Sequence, residues 1–151
     1  MTEALPKILI VDDEASVLYA FQRCLRNQFQ IEVALSAEAA LGLIERKGPY
    51  AVVVSDLHMP GMDGIEFLSI LASMAPTTTR VALTASCKQV HREAAFTCGQ
   101  VFEFLNKPCA LDEMVSCLWR SVQHHEDRET ARKSGPTDSR AAIPFAFEEA
   151  V

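Results

Sequence analysis

The stretch AVVVSDLHMPGMDG, residues 51–64, passes from four apolar residues to the acidic Asp56 and then to Pro60, Gly61 and Gly64. A short apolar run bounded by turn residues reads as a strand buried on both faces. The proline and glycines read as the sharp loop that follows it. A carboxylate at the end of a buried strand is costly unless something cationic meets it. Fold and chemistry therefore both depend on what else arrives at that point.

Four more runs of the same kind flank it: KILIV (7–11), IEVAL (31–35), RVALT (80–84) and VFEFL (101–105). Between them the apolar residues take helical spacing, as in Leu18, Phe21 and Leu25 on the first helix. The last helix carries Leu111, Met114, Val115, Leu118 and Val122 in the same way. Ser36 before Ala-Glu-Ala-Ala is an N-cap, and Gly48-Pro49 stops that helix before the third strand. Strands alternating with helices, joined by right-handed crossovers, predict an α/β fold of (βα)5 type, a doubly wound parallel five-stranded sheet covered on both sides. Element order alone does not say which strands are neighbours.

The chain has 151 residues, 49% of them hydrophobic, enough for one domain with a real core and a tail. A net charge of −6 argues against direct binding of nucleic acid or an anionic membrane. The five cysteines, at 24, 87, 98, 109 and 117, form no CxxC pair and no zinc pattern, and are expected as buried, reduced thiols. No secretory signal is legible at the N-terminus and no apolar stretch approaches the roughly 20 residues of a membrane span. The expected location is the cytoplasm.

Apolar periodicity stops near residue 125, which sets a domain over residues 1–125. Residues 126–151 read as a solvated helix extension, then a Ser/Gly/Pro linker and a flexible tail. Ile143, Phe145 and Phe147 leave open a partner-docking segment, or a linker toward an output domain.

In open parallel sheets ligands bind beyond the carboxyl ends of the strands. There the first strand delivers Asp12-Asp13-Glu14, the third Ser55-Asp56, the fourth Thr84-Ala85-Ser86 and the fifth Asn106-Lys107-Pro108. Carboxylates pressed together repel unless a multivalent cation neutralises them. An all-oxygen set with few protein ligands suits magnesium, with manganese as a substitute, better than calcium. A lysine and a hydroxyl cannot ligate that metal but can bind an anion. The gap between them fits a phosphoryl group, with a carboxylate in line as nucleophile. Singly, each residue has an ordinary explanation: Asp12 and Asp13 as a helix N-cap, Thr84 as a strand residue, Lys107 as a solvated cation. Their coincidence on four strand ends does not.

With "VDDE", "SDLHMPGMDG", "ALTAS" and "FLNKP" in this order, the chain resembles the receiver domain of two-component response regulators over roughly residues 6–124. The resemblance implies the flavodoxin-like strand order 2-1-3-4-5. It implies Asp56 as phospho-acceptor, with Lys107 pairing the phosphoryl oxygens and Thr84 turning its hydroxyl toward them. Magnesium would be held by Asp13, by Asp12 through water, by Asp56 and by the backbone carbonyl of His58. It further implies a cis bond before Pro108, a small residue, here Ala85, that leaves the pocket open, and a side chain at His58 that tunes phosphoryl lifetime. Phe104 matches the aromatic switch position: Thr84 would move inward and Phe104 would follow, remodelling the surface of the fourth helix, fifth strand and fifth helix.

The implied partners are a histidine kinase or histidine phosphotransfer protein upstream and a downstream protein or output domain on that surface; a homodimer stays open. Self-catalysed phosphotransfer and slow self-hydrolysis are expected, within a signalling protein rather than an enzyme. One rival is a receiver-like binding module without phosphorylation, which should have lost Asp56, Lys107 or the acid pair. Another is the N-terminal piece of a regulator with an enzymatic output of the cyclic-di-GMP phosphodiesterase type. A magnesium phosphohydrolase would want an aspartate where His58 stands, and a flavin module would want hydroxyl and glycine donors after the first strand. His124 and His125 read as cations at a helix C-terminus.

Overall fold

A computed structural model of the chain describes residues 4–85 and 89–149, with side chains described at 4–85 and 92–133. The elements alternate strictly: β1 (Lys7–Val11), α1 (Ala15–Leu25), β2 (Gln30–Ala34), α2 (Ala37–Lys47), β3 (Val52–Asp56), α3 (Gly64–Met74), β4 (Thr79–Thr84), α4 (Gln89–Thr97), β5 (Glu103–Asn106) and α5 (Leu111–Glu149). All ladders are parallel and the strand order is β2-β1-β3-β4-β5. This is the (βα)5 doubly wound sheet that the sequence predicts.

The sheet divides the core in two because successive strand residues face opposite ways. Ile8, Ile10, Val52, Val54, Val81 and Leu83 pack with α1 and α5 through Leu18, Leu25, Met114, Leu118 and Val122. Leu9, Val11, Val53 and Ala82 pack with α2, α3 and α4 through Ala37, Ala40, Phe67, Leu68, Leu71 and Ala95. Each fully buried Leu, Ile, Val or Phe contributes on the order of 1.5–3 kcal/mol by leaving water. The apolar runs of the central strands are continuous because both of their faces are covered.

Local signals set most boundaries. Ser36 Oγ accepts a hydrogen bond from Ala39 N at 3.0 Å at the start of α2, and Gly48 N donates to Ile44 O at 3.0 Å at its end. Asp63 opens α3 in the same manner, accepting from Glu66 N at 2.8 Å. β3 reaches further than its apolar run, since Ser55 and Asp56 still pair with neighbouring strands. β5 starts later than its run, because Val101 N turns back to Ala95 O at 3.3 Å and closes the end of α4.

Several expectations need correction. Leu111 is exposed rather than part of the buried stripe of α5. Of the described cysteines only Cys117 is buried, while Cys24 and Cys98 are exposed and Cys109 is half-buried; Cys87 lies outside the described residues. The backbone of α5 stays helical to Glu149, past the Gly135-Pro136 pair where the composition suggests a linker. Its extension is tied back to the body by His125 Nδ1, 2.7 Å from Thr77 O, and by a Thr77–Glu129 side-chain hydrogen bond. The side chains of Ile143, Phe145 and Phe147 lie outside the described residues. His124 and His125 are therefore within α5, not at its C-terminus. His124 stacks on Phe102, ring centroids 4.3 Å apart and 18° between planes. Burial, with Arg128 nearby, lowers its pKa below the ordinary imidazole value, which opposes the expected cation.

Candidate active site

Val11 and Ser55 are register partners on adjacent strands. The next residue of each is an aspartate, so Asp12 and Asp56 leave the sheet side by side on the same face. Asp12 is fully buried and Asp56 nearly so. Asp13, on the loop, is exposed, yet one carboxylate oxygen from each of Asp12, Asp13 and Asp56 lies within 4.8 Å of the others.

The loop after β3 shapes this mouth. Gly61 takes φ +80°, a left-handed conformation that glycine adopts without a steric cost. Gly64 N donates to Leu57 O at 3.1 Å, and a Cβ at Gly64 would stand 2.1 Å from Asp56 O. Only glycine lets α3 begin so close to the acid-bearing strand end. His58 is exposed and its N–H donates to Asp56 Oδ1 at 3.0 Å, fixing that carboxylate from the loop side.

From the opposite side comes Lys107. Its N–H donates to Thr84 O at 2.9 Å and the bond to Pro108 is cis. Its Nζ lies 2.8 Å from Asp12 Oδ2, 3.0 Å from Asp56 Oδ2 and 3.4 Å from Glu14 Oε1. Burial disfavours the ammonium, but the close carboxylates of Asp12 and Asp56 outweigh it and raise the pKa above the ordinary lysine value. Glu14 was not singled out by spacing; its place directly after the acid pair was the available signal.

One oxygen is poorly served. Asp12 Oδ2 is buried and close to Lys107 Nζ, but the angle of that contact is wrong for a hydrogen bond and no other donor among the described residues reaches it. A buried carboxylate oxygen without a hydrogen-bond donor, beside two more carboxylates and no sulfur or imidazole, fits a hard divalent cation. The donor set thus matches the ion that the sequence predicts.

Thr84 is buried and ends β4, one residue past Leu83, the partner of Asp56. Ala85 follows it, exposed, and Ser86 lies outside the described residues. Phe104 is half-buried rather than fully enclosed. Its ring meets Phe96 edge-on with centroids 4.9 Å apart, and the guanidinium of Arg92 sits 4.7 Å from its centre. These α4 partners of Phe104 are not legible from β5.

Residues 8–118 match the family described as response regulator receiver domain. The chain belongs to this receiver family. The receiver is 28% identical over 134 residues to the DNA-binding transcriptional regulator NtrC of Salmonella typhimurium, covering 86% of this chain and 28% of that protein. It is 29% identical over 144 residues to the response regulator MprA of Mycobacterium leprae, covering 95% of this chain and 58% of that protein. It thus spans less than two thirds of either regulator. The signal receiver domain of an HD domain-containing protein from Pseudomonas fluorescens superposes with a TM-score of 0.80 at 27% identity, covering 86% of this chain and 96% of that one. The receiver is a signalling domain of two-component systems, and none of the residues whose loss would mark a degenerate binding module is missing. No helix among the described residues is long and apolar enough to cross a membrane.

Proposed function

We propose that the receiver accepts a phosphoryl group on Asp56 from a phosphohistidine of a kinase or phosphotransfer protein, and that the modified state alters the α4-β5-α5 surface. The observation that carries this reading is Lys107 Nζ within 3.0 Å of both Asp12 Oδ2 and Asp56 Oδ2, a cation already placed among buried acids. Asp13, Asp56, the backbone carbonyl of His58 and, through water, Asp12 would hold magnesium. When bound, the ion supplies charge neutralisation for the phosphoryl oxygens.

The step follows from the residues. Asp56 is buried, with Lys107 Nζ 3.0 Å from Oδ2 and the His58 N–H donating to Oδ1 at 3.0 Å. One of its carboxylate oxygens attacks phosphorus in line; the new O–P bond forms as the P–N bond to the donor imidazole breaks, and that electron pair stays on the imidazole. Lys107 then pairs with a phosphoryl oxygen, and Thr84 donates its hydroxyl to another. Phosphorylation adds nearly two negative charges at one point, which draws Thr84 and gives Phe104 room to move.

A cleft of about 560 Å³ opens beside Lys107, lined by Val17, Ala20, Phe21, Leu83 and Pro108 among others. Its apolar lining supports a protein as donor as well as a small molecule. In this reading the location is the cytoplasm, where histidine kinases expose their catalytic portions.

The test is acetyl phosphate with magnesium, read by intact mass. Wild type should gain one phosphoryl group, chelation of the metal should abolish it, and Lys107→Ala should slow it roughly a hundredfold. Equal labelling with and without chelator, or an unaffected Lys107→Ala, would overturn the reading.

A further inference from the structure

Arg80 stands in β4, opposite Val53, and is 2% exposed. A guanidinium this deep in a sheet is costly unless its donors are met. Main-chain carbonyls meet them: Nε donates to Gly99 O at 3.1 Å and to Gln100 O at 3.3 Å, and Nη1 to Thr78 O at 2.8 Å and Ala75 O at 3.5 Å. Ala75 is the C-cap of α3, and Gly99 and Gln100 follow Thr97, the last residue of α4. Carbonyls at helix C-termini lack intrahelical partners and carry the negative end of the dipole. One side chain therefore ties the C-cap of α3 to the turn that ends α4.

The end of α4 is fixed in other ways as well. Gln100 has φ +52°, the left-handed conformation with which helices commonly terminate. Phe102 N donates to Arg80 O at 2.7 Å, so both the side chain and the backbone of Arg80 hold this turn. Gly99 packs so closely that an added Cβ would lie 3.0 Å from Ala95 O and 3.1 Å from Leu68 Cβ. Arg80 and Thr84 are two ends of the same strand: one grips the C-terminal end of α4, the other reaches the phosphoryl site.

We propose that Arg80 makes the C-terminal end of α4 a fixed pivot, so that the response to phosphorylation is a swing of α4 from its N-terminal half. This rests on the phosphoryl reading of Asp56 and Thr84. Arg92, whose guanidinium covers the Phe104 ring, lies toward the moving half and changes its grip on that ring as the helix swings, while Phe96 stands beside the pivot. Arg80 is a positioning residue in this scheme; it touches no reacting atom.

Amide hydrogen exchange on the full chain tests it, with and without beryllofluoride and magnesium, for wild type, Arg80→Met and Arg80→Lys. In wild type, beryllofluoride should change exchange in the first half of α4 by about tenfold while Cys98 to Phe102 stay as they were. In the unmodified chain, Arg80→Met should speed exchange at Cys98 to Phe102 by about tenfold with β1 and β3 still protected. Arg80→Lys, which keeps the charge but not the fork, should give a smaller change at the same amides. Should Arg80→Met fail to fold, Arg80→Lys decides alone, and uniform or absent acceleration overturns the pivot. Response of both ends of α4 to beryllofluoride overturns the pivot and leaves the phosphoryl reading standing. No response anywhere overturns the phosphoryl reading.

Discussion

Thr84 and Phe104 lie on the same face of the sheet: Phe104 is the register partner of Ala82, and Thr84 is two residues further along β4. That face is the one covered by α3 and α4. A hydroxyl that moves toward the acid cluster therefore leaves space on the side where the Phe104 ring stands. Coupling between the two needs no long pathway, since they are diagonal neighbours across one ladder.

The first prediction follows from this adjacency. Thr84→Ala should still take a phosphoryl group at Asp56, at a rate within about tenfold of wild type, because the hydroxyl is one donor among several. It should lose the change in Phe104 ring signals that beryllofluoride causes in wild type, measured by NMR. A full response in Thr84→Ala would separate the ring from the hydroxyl.

Lys107 is the counter-ion of Asp12 and Asp56. Lys107→Ala leaves Asp12 and Asp56 facing each other without compensation, and should lower stability in metal-free buffer by about 1–3 kcal/mol. The figure lies below that for a fully enclosed pair because the Lys107 side chain is 17% exposed. Magnesium should restore much of the loss, since the folded acid cluster offers it converging carboxylates that the unfolded chain does not. Urea midpoints with and without magnesium measure both; the same loss in each buffer would contradict the role.

The stacked His124 gives a pH dependence of known sign. Its folded pKa is lowered by burial and by Arg128, so the unfolded chain binds the proton more readily. Stability should therefore be unaffected by this group well above 6.5, its ordinary value, and fall as pH drops through that value. His124→Phe keeps an aromatic ring against Phe102 and should flatten the pH profile of the melting temperature below about pH 6.5. Identical slopes in variant and wild type would show that the imidazole is not held neutral.

Gly64→Ala should be among the most damaging small substitutions in the chain. The added methyl would meet Asp56 O at 2.1 Å and Leu57 Cα at 2.6 Å, both main-chain atoms that cannot rotate away. A loss of roughly 2–4 kcal/mol is expected, together with slower phosphotransfer, because one of the displaced atoms is the carbonyl oxygen of Asp56, the proposed acceptor. Thermal melts and acetyl phosphate labelling should show the two effects together.

Much of this architecture was legible from residue order. β1, β3 and β4 are buried on both faces, so their apolar runs are unbroken and mark the strands, although β3 runs two polar residues further. The acids, Thr84 and Lys107 could be placed because parallel strands bring their carboxyl ends to one edge. What escaped depends on contacts across elements. Arg80 reads as one polar residue at the start of an apolar run, and nothing beside it announces the carbonyls of Ala75 and Gln100 that it caps. The stacking of His124 on Phe102 joins α5 to the turn before β5, so neither neighbourhood predicts it. Continuation of α5 through Gly135-Pro136 runs against local propensity, whereas the Glu129–Arg132 pair one turn apart favours the helix that precedes it.

The central claim is that Asp56 itself becomes the acyl phosphate. Borohydride reduction of the chain after acetyl phosphate and magnesium, followed by peptide mapping, converts such a residue to homoserine. Homoserine at position 56 in wild type, and at no position in Asp56→Asn, is the predicted result. Homoserine at Asp12 or Asp13 in wild type, or undiminished labelling of Asp56→Asn, would contradict the account.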